Sequence, residues 1–134
     1  MNTFLAEFRY DNGEISNLCS KKENGGRPGD GTGSTKGNCN FGEICYANGK
    51  CSSLCSMLPT GGMPGDGKGN SRGNCALGEI CYPNSTCSNK CSRIERNGRP
   101  GDGNGTTQGN CKHGEFCMKN GVCTGNYAKS IHIL

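Results

Sequence analysis

Twelve cysteines recur on a strict 36-residue period: Cys19, Cys39, Cys45 and Cys51, then Cys55, Cys75, Cys81 and Cys87, then Cys91, Cys111, Cys117 and Cys123. The chain is three copies of one unit, each reading C-x19-C-x2-G-x2-C-x5-C. The copies are joined by Ser52-Ser53-Leu54 and Ser88-Asn89-Lys90. Such a period marks one building block that has been multiplied. Besides the cysteines, the positions identical in all copies are occupied by small turn-formers and a few polar residues. In the first copy they are Ser20, Gly26, Pro28, Gly29, Asp30, Gly31, Gly33, Gly37, Asn38, Gly42, Glu43 and Asn48. No large apolar residue belongs to the set.

That pattern sets how the fold can be held. Only 31% of the 134 residues are hydrophobic, Trp is absent and 24 are Gly, which excludes a sizeable apolar core. A 36-residue unit is also too small to be held by burial alone, so covalent staples are expected. Full pairing gives six disulfides, with three possible pairings inside each unit. Disulfides persist in oxidising surroundings, so the expected location is extracellular, cell-surface or on a virion. Met1–Tyr10 (MNTFLAEFRY) shows no basic segment followed by an apolar run, so no signal peptide is visible in this chain. Either the chain is a mature form with an added Met, or it is oxidised by a route other than ordinary secretion. Coat proteins of large DNA viruses, oxidised by virus-encoded enzymes, fit the second case. No stretch approaches the roughly 18 apolar residues of a membrane span. The formal charge of +4 is scattered, with Lys21-Lys22 the only adjacent basic pair, so nucleic acid is not an expected partner.

The residues divide into an N-terminal arm (1–18), three repeats (19–54, 55–90 and 91–126) and a C-terminal tail (127–134). Phe4 to Tyr10 alternates, and Asp11-Asn12-Gly13 supplies a turn before Glu14-Ile15, which predicts an N-terminal strand or hairpin. Ile131-His132-Ile133-Leu134 predicts a second short strand. Tyr127 stands where the period would place another cysteine, and the array stops. In each long loop, Arg27-Pro28-Gly29-Asp30 and its copies match a type II turn. In the last loop Asn48-Gly49 and Asn120-Gly121 are strong hairpin signals, whereas the middle copy has Asn84-Ser85. Sharing only short linkers and little apolar surface, the units are expected to be nearly independent modules.

The central Cys39-Asn40-Phe41-Gly42-Glu43-Ile44-Cys45 and its copies, within the full spacing, resemble the disulfide-directed β-hairpin, a simplified relative of the knottins. The resemblance covers residues 19–123. It implies a small disulfide-rich fold of three tandem knottin-like hairpin units, with little helix. It also implies pairing of first with third and second with fourth cysteines: Cys19 with Cys45, Cys39 with Cys51, Cys55 with Cys81, Cys75 with Cys87, Cys91 with Cys117 and Cys111 with Cys123.

Other chemistry is thin. Cys51-x3-Cys55 and Cys87-x3-Cys91 approach zinc spacing, but the last unit has no such pair, and C-x-x-C is absent. One Asp per loop (Asp30, Asp66, Asp102) is too few for calcium, which gathers about six to eight oxygens. These Asp side chains, and Glu43, Glu79 and Glu115, are expected to bond nearby backbone amides. His113 and His132 do not recur and no nucleophile sits beside them, so no enzyme, metal or cofactor is expected. Asn84-Ser85-Thr86 and Asn104-Gly105-Thr106 are glycosylation sequons.

Two function classes fit. One is a non-enzymatic structural protein docking onto other proteins of a coat, matrix or particle, in its sharpest form a minor virion or capsid protein. Its partner contacts are expected at the apolar arms: Phe4, Leu5, Phe8, Tyr10, Ile131, Ile133 and Leu134. The other is a secreted tandem toxin or protease inhibitor, with Arg27, Met63 and Arg99 as the nearest repeated bait. The lack of an apolar anchor recurring at a loop tip favours the structural class.

Overall fold

The structure, a computed structural model, describes residues 7–125. Among them there is no helix, and the regular backbone is four antiparallel two-stranded hairpins. They pair β1 (Phe8–Arg9) with β2 (Ile15–Ser16), β3 (Ile44–Cys45) with β4 (Cys51–Ser52), β5 (Ile80–Cys81) with β6 (Cys87–Ser88), and β7 (Glu115–Cys117) with β8 (Cys123–Gly125). This is the small disulfide-rich fold expected from the cysteine spacing. The strand expected at Ile131–Leu134 lies outside the described residues.

Each hairpin turn is made by the same chemistry. The Gly49 amide donates to the Tyr46 carbonyl at 2.8 Å, and the Tyr46 amide to the Lys50 carbonyl at 3.1 Å. Gly49 closes the turn at φ 84°, a conformation that costs glycine little. The result is a type I turn with a glycine bulge and a three-residue connection, rather than the two-residue turn that Asn-Gly most often signals. Asn48 acts through its side chain, accepting the Lys50 amide at 3.0 Å. The middle unit makes the same turn with Ser85 at φ 76°, the one described non-glycine residue with positive φ.

The N-terminal hairpin is this element without its sulfur. The Gly13 amide donates to the Tyr10 carbonyl and the Tyr10 amide to the Glu14 carbonyl, while Arg9 pairs with Ile15 as Cys45 pairs with Cys51. Tyr10, Tyr46 and Tyr82 therefore open equivalent turns at the repeat period.

Six disulfides join first with third and second with fourth cysteines in every unit: Cys19–Cys45 and Cys39–Cys51, Cys55–Cys81 and Cys75–Cys87, Cys91–Cys117 and Cys111–Cys123. The two cysteines facing each other across a hairpin are thus tied to different parts of the long loop. The buried cluster of each unit is these sulfurs. The loops span 26 and 12 residues of sequence separation, so each bond removes roughly 3 kcal/mol of unfolded-chain entropy.

The long loop folds back by turns. In the Arg27–Asp30 turn, Gly29 takes φ 80° and the Asp30 amide donates to the Arg27 carbonyl at 3.2 Å, which is the expected type II form. Ser20, fully buried, accepts the Lys22 amide and donates to the Gly25 carbonyl, both at 3.1 Å. Gly37 is required twice over, because its φ is 55° and a Cβ there would run into the Ser20 carbonyl.

The expectation of nearly independent units took no account of polar contacts, and the structure joins each unit to the next by hydrogen bonds. Tyr46 and Tyr82 are completely buried, each between its own unit and the next. The Tyr46 hydroxyl donates to the Leu54 carbonyl and accepts the Asn74 side-chain amide at 3.0 Å, and the same Asn74 Nδ2 donates to the Gly33 carbonyl. The Gly61 amide adds a bond to the Thr32 carbonyl. At the next junction Tyr82 meets the Lys90 carbonyl and Asn110, and Asn110 reaches the Gly69 carbonyl. Polar groups do here what shared apolar area could not.

Candidate functional site

Two features stand out as candidates for function: the junction that fixes one unit against the next, and the side chains which that fixed array presents to solvent.

At the junction, asparagine works with both ends. Asn38, Asn74 and Asn110 accept the Ser20, Ser56 and Ser92 amides through Oδ1 at 2.9–3.0 Å, while Nδ2 reaches the tyrosine hydroxyl of the preceding hairpin. This explains why Asn recurs, whereas Ser recurs for its hydroxyl, which bonds the backbone of Lys22 and Gly25 in the first unit. Burial pushes the Tyr46 hydroxyl pKa up; the hydrogen bond from Asn74 works against that, and the Asp66 charge adds to it. Tyr82 is raised in the same way, with Asn110 and Asp102 in those places. Both phenols are therefore protonated donors at neutral pH.

Each unit also carries an aspartate brace. Asp30 Oδ1 accepts the Lys21 amide at 2.9 Å and Oδ2 the Arg27 amide at 3.1 Å; Asp66 and Asp102 repeat the arrangement. Desolvation opposes ionisation of Asp30, but the amides of Lys21 and Arg27 and the Ser20 hydroxyl outweigh it, holding the carboxyl below the usual carboxylate range. Asp66 and Asp102 are lowered by the same balance. These oxygens are committed to the backbone. Glu43, Glu79 and Glu115 likewise accept the amides of Asn40, Ala76 and Lys112, each at 3.3 Å.

The arm residues divide. Phe4, Leu5, Ile131, Ile133 and Leu134 lie outside the described residues. Tyr10 is no exposed anchor: it is 6% exposed, its hydroxyl donates to the Leu18 carbonyl, and Asn38 donates to it at 3.3 Å. Phe8 packs on the Cys19, Cys39 and Cys45 cluster, its ring edge-on to Tyr10 with centroids 6.4 Å apart. These two side chains close the start of the first repeat, because the N-terminal hairpin meets it as each later hairpin meets its successor.

Outward, an apolar side chain does recur at a loop tip, which the sequence reading missed. Phe41 is 96% and Leu77 88% exposed, at equivalent places in the C-x2-G-x2-C turn. His113, also exposed, holds that place in the third unit, so the position is not identical across copies. A comparison of the first two copies alone, at the residue before Gly42 and Gly78, carries the signal. Tyr46 and Tyr82 escaped for a related reason, since Met118 replaces them in the last unit. Beside the first tip lies an open cleft of about 400 Å3, lined by Phe8, Leu18, Asn38, Asn40, Glu43, Lys50 and the Cys39–Cys51 bond among others. It holds no nucleophile paired with a base.

No family model, curated protein or solved structure matches this chain.

Proposed function

We propose that the protein is a non-enzymatic, disulfide-stapled structural repeat protein that docks onto neighbouring proteins of a coat, matrix or particle, in its sharpest form as a minor virion or capsid component. The observation that carries this reading is the tyrosine–asparagine junction. It turns three small units into one array and thereby holds Phe41 and Leu77 at equivalent positions, nearly free of contacts. Side chains so exposed contribute nothing to the fold of their own unit. Placed against a partner, each supplies apolar burial worth about 1.5–3 kcal/mol, with little ordering cost because the turn is already rigid. Tyr10 is buried within the chain, whereas Phe8, half-buried, lines the cleft beside the first tip and stays part of the proposed docking surface.

The lack of a recurring apolar tip, which in the sequence favours the structural class, does not hold for the first two units. The same tips therefore also support a second reading, a secreted tandem inhibitor or toxin, since a disulfide-braced turn with an apolar apex is also a means of entering a receptor or enzyme cleft. One experiment separates the two. Phe41→Ser with Leu77→Ser is expected to keep all six disulfides and lose incorporation into the particle or matrix from which the wild-type chain is isolated. A wild-type chain that is a free monomer, and that blocks a protease or channel through Phe41, overturns the structural reading.

A further inference from the structure

We infer that Asn84 and Asn104 are N-glycosylated, so that the array carries two carbohydrate chains on its second and third units. The inference rests on the oxidising, extracellular-type setting implied by six disulfides being reached through the secretory pathway; it agrees with a docking or inhibitor role there and excludes a particle oxidised by another route. Both residues head an Asn-x-Thr triplet, the acceptor pattern for this modification. Sequence alone leaves open whether such a triplet is accessible in the fold.

Three observations bear on that. Asn84 and Asn104 are both exposed, as are Thr86 and Thr106. In each triplet the Thr hydroxyl and the Thr amide both bond the Asn Oδ1: Thr86 meets Asn84, and Thr106 meets Asn104 at 2.8 Å from the hydroxyl and 3.0 Å from the amide. The Asn Nδ2, where the sugar attaches, makes no hydrogen bond among the described residues in either case. Asn38, Asn74 and Asn110 differ, since their Nδ2 atoms are committed to the preceding hairpin.

Position in the array adds to this. Asn84 lies in the turn of the β5–β6 hairpin, facing solvent. The equivalents in the other units, Asn48 and Asn120, are followed by Gly-Lys and Gly-Val and lack the hydroxyl. Asn104 corresponds to Thr32, whose carbonyl is covered by Gly61 of the next unit. Gly33 and Gly69 are buried there, whereas Gly105 is only half-buried. A glycan on Asn104 therefore has room that the same position in the first unit lacks.

The reaction transfers an oligosaccharide from a lipid-pyrophosphate donor. Nδ2 bonds to C1 of the first sugar, the C1–oxygen bond to pyrophosphate breaks, Nδ2 loses a proton, and the lipid pyrophosphate leaves. The fold supplies only the acceptor.

The test is the full chain from its natural source, and the same chain secreted from eukaryotic cells behind a cleavable signal. Each is analysed by intact mass and peptide mapping before and after enzymatic release of N-glycans. Expected are two glycan increments, lost on release, with Asn converted to Asp at positions 84 and 104. Asn84→Gln and Asn104→Gln should each remove one increment. Because the first variant disturbs the turn, Thr86→Ala, which keeps Asn84, should also remove it, while Thr86→Ser retains it. Unmodified Asn84 and Asn104 in the natural protein overturn the inference, as does a secreted protein that is fully disulfide-bonded yet unglycosylated. An increment at one position only overturns it for the other.

Discussion

Removing a single oxygen from Tyr46 tests the chemistry of the junction. Tyr46→Phe keeps the ring and its burial but leaves the Leu54 carbonyl without its donor and takes one acceptor from Asn74. An acceptor left without a partner at a part-buried site costs up to about 1–3 kcal/mol. The expected result is a loss of that size in denaturant unfolding, with faster hydrogen exchange at Gly61, whose amide crosses the same junction. Ionisation should act similarly. Tyr46 and Tyr82 have higher pKa values folded than unfolded, so their contribution is complete below about pH 10 and falls as pH rises beyond it. The aspartates run the other way: with folded pKa values lowered, their contribution is present above about pH 4 and lost as pH falls through the folded values. Stability measured against pH should therefore fall at both ends, and Asp66→Asn should flatten part of the acid limb. At Ser85 the direction reverses. Its positive φ costs about 1 kcal/mol or more, so Ser85→Gly should leave stability unchanged or raise it by up to about 1 kcal/mol, read from thermal unfolding.

Each hairpin depends on sulfur because its strands are too short to hold alone. A pair of two-residue strands such as Ile80–Cys81 with Cys87–Ser88 is marginal in water. Replacing Cys75 and Cys87 together by Ser should cost roughly 3 kcal/mol, seen as loss of protection in the 80–88 hairpin before the rest of the unit. These elements could be read from the sequence because cysteine spacing and turn residues are local signals: Pro28-Gly29 set a type II turn and Asn48 fixed a hairpin, as the chain order suggests. What could not be read was long-range and polar. Asn74 lies 28 residues from Tyr46 and 41 from Gly33, and nothing local to any of the three announces the contact. Dividing the chain at the cysteines also placed Tyr10 in an arm, although Tyr10-Asp11-Asn12-Gly13 repeats Tyr46-Ala47-Asn48-Gly49. Phe41 and Leu77 were obscured because a search for positions shared by all three copies passes over one that ends in His113.

The whole molecule should unfold as a nearest-neighbour system, since among the described residues the inter-unit hydrogen bonds join each unit only to the hairpin or unit beside it. In such an array stability is a sum of unit terms and junction terms. Three separate modules would melt each on its own, whereas coupling through Tyr46 and Tyr82 should give one broad cooperative transition under oxidising conditions. Tyr82→Ala removes the ring, the bond to the Lys90 carbonyl and the bond from Asn110 at once, leaving a cavity between the second and third units. Loss of a buried aromatic of this kind costs about 3–5 kcal/mol. The cost should fall on one junction only. Amides of the third unit near the junction, such as Asn110, should exchange faster, those of the second unit moderately so, and Cys19 and Gly29 hardly at all. Tyr10→Ala should give the mirror pattern, loosening the first unit and sparing the third. Equal loss of protection in all three units for either variant would mean that the array is one indivisible cooperative block, and unchanged protection at Asn110 would mean that the tyrosine junction does not hold the units together.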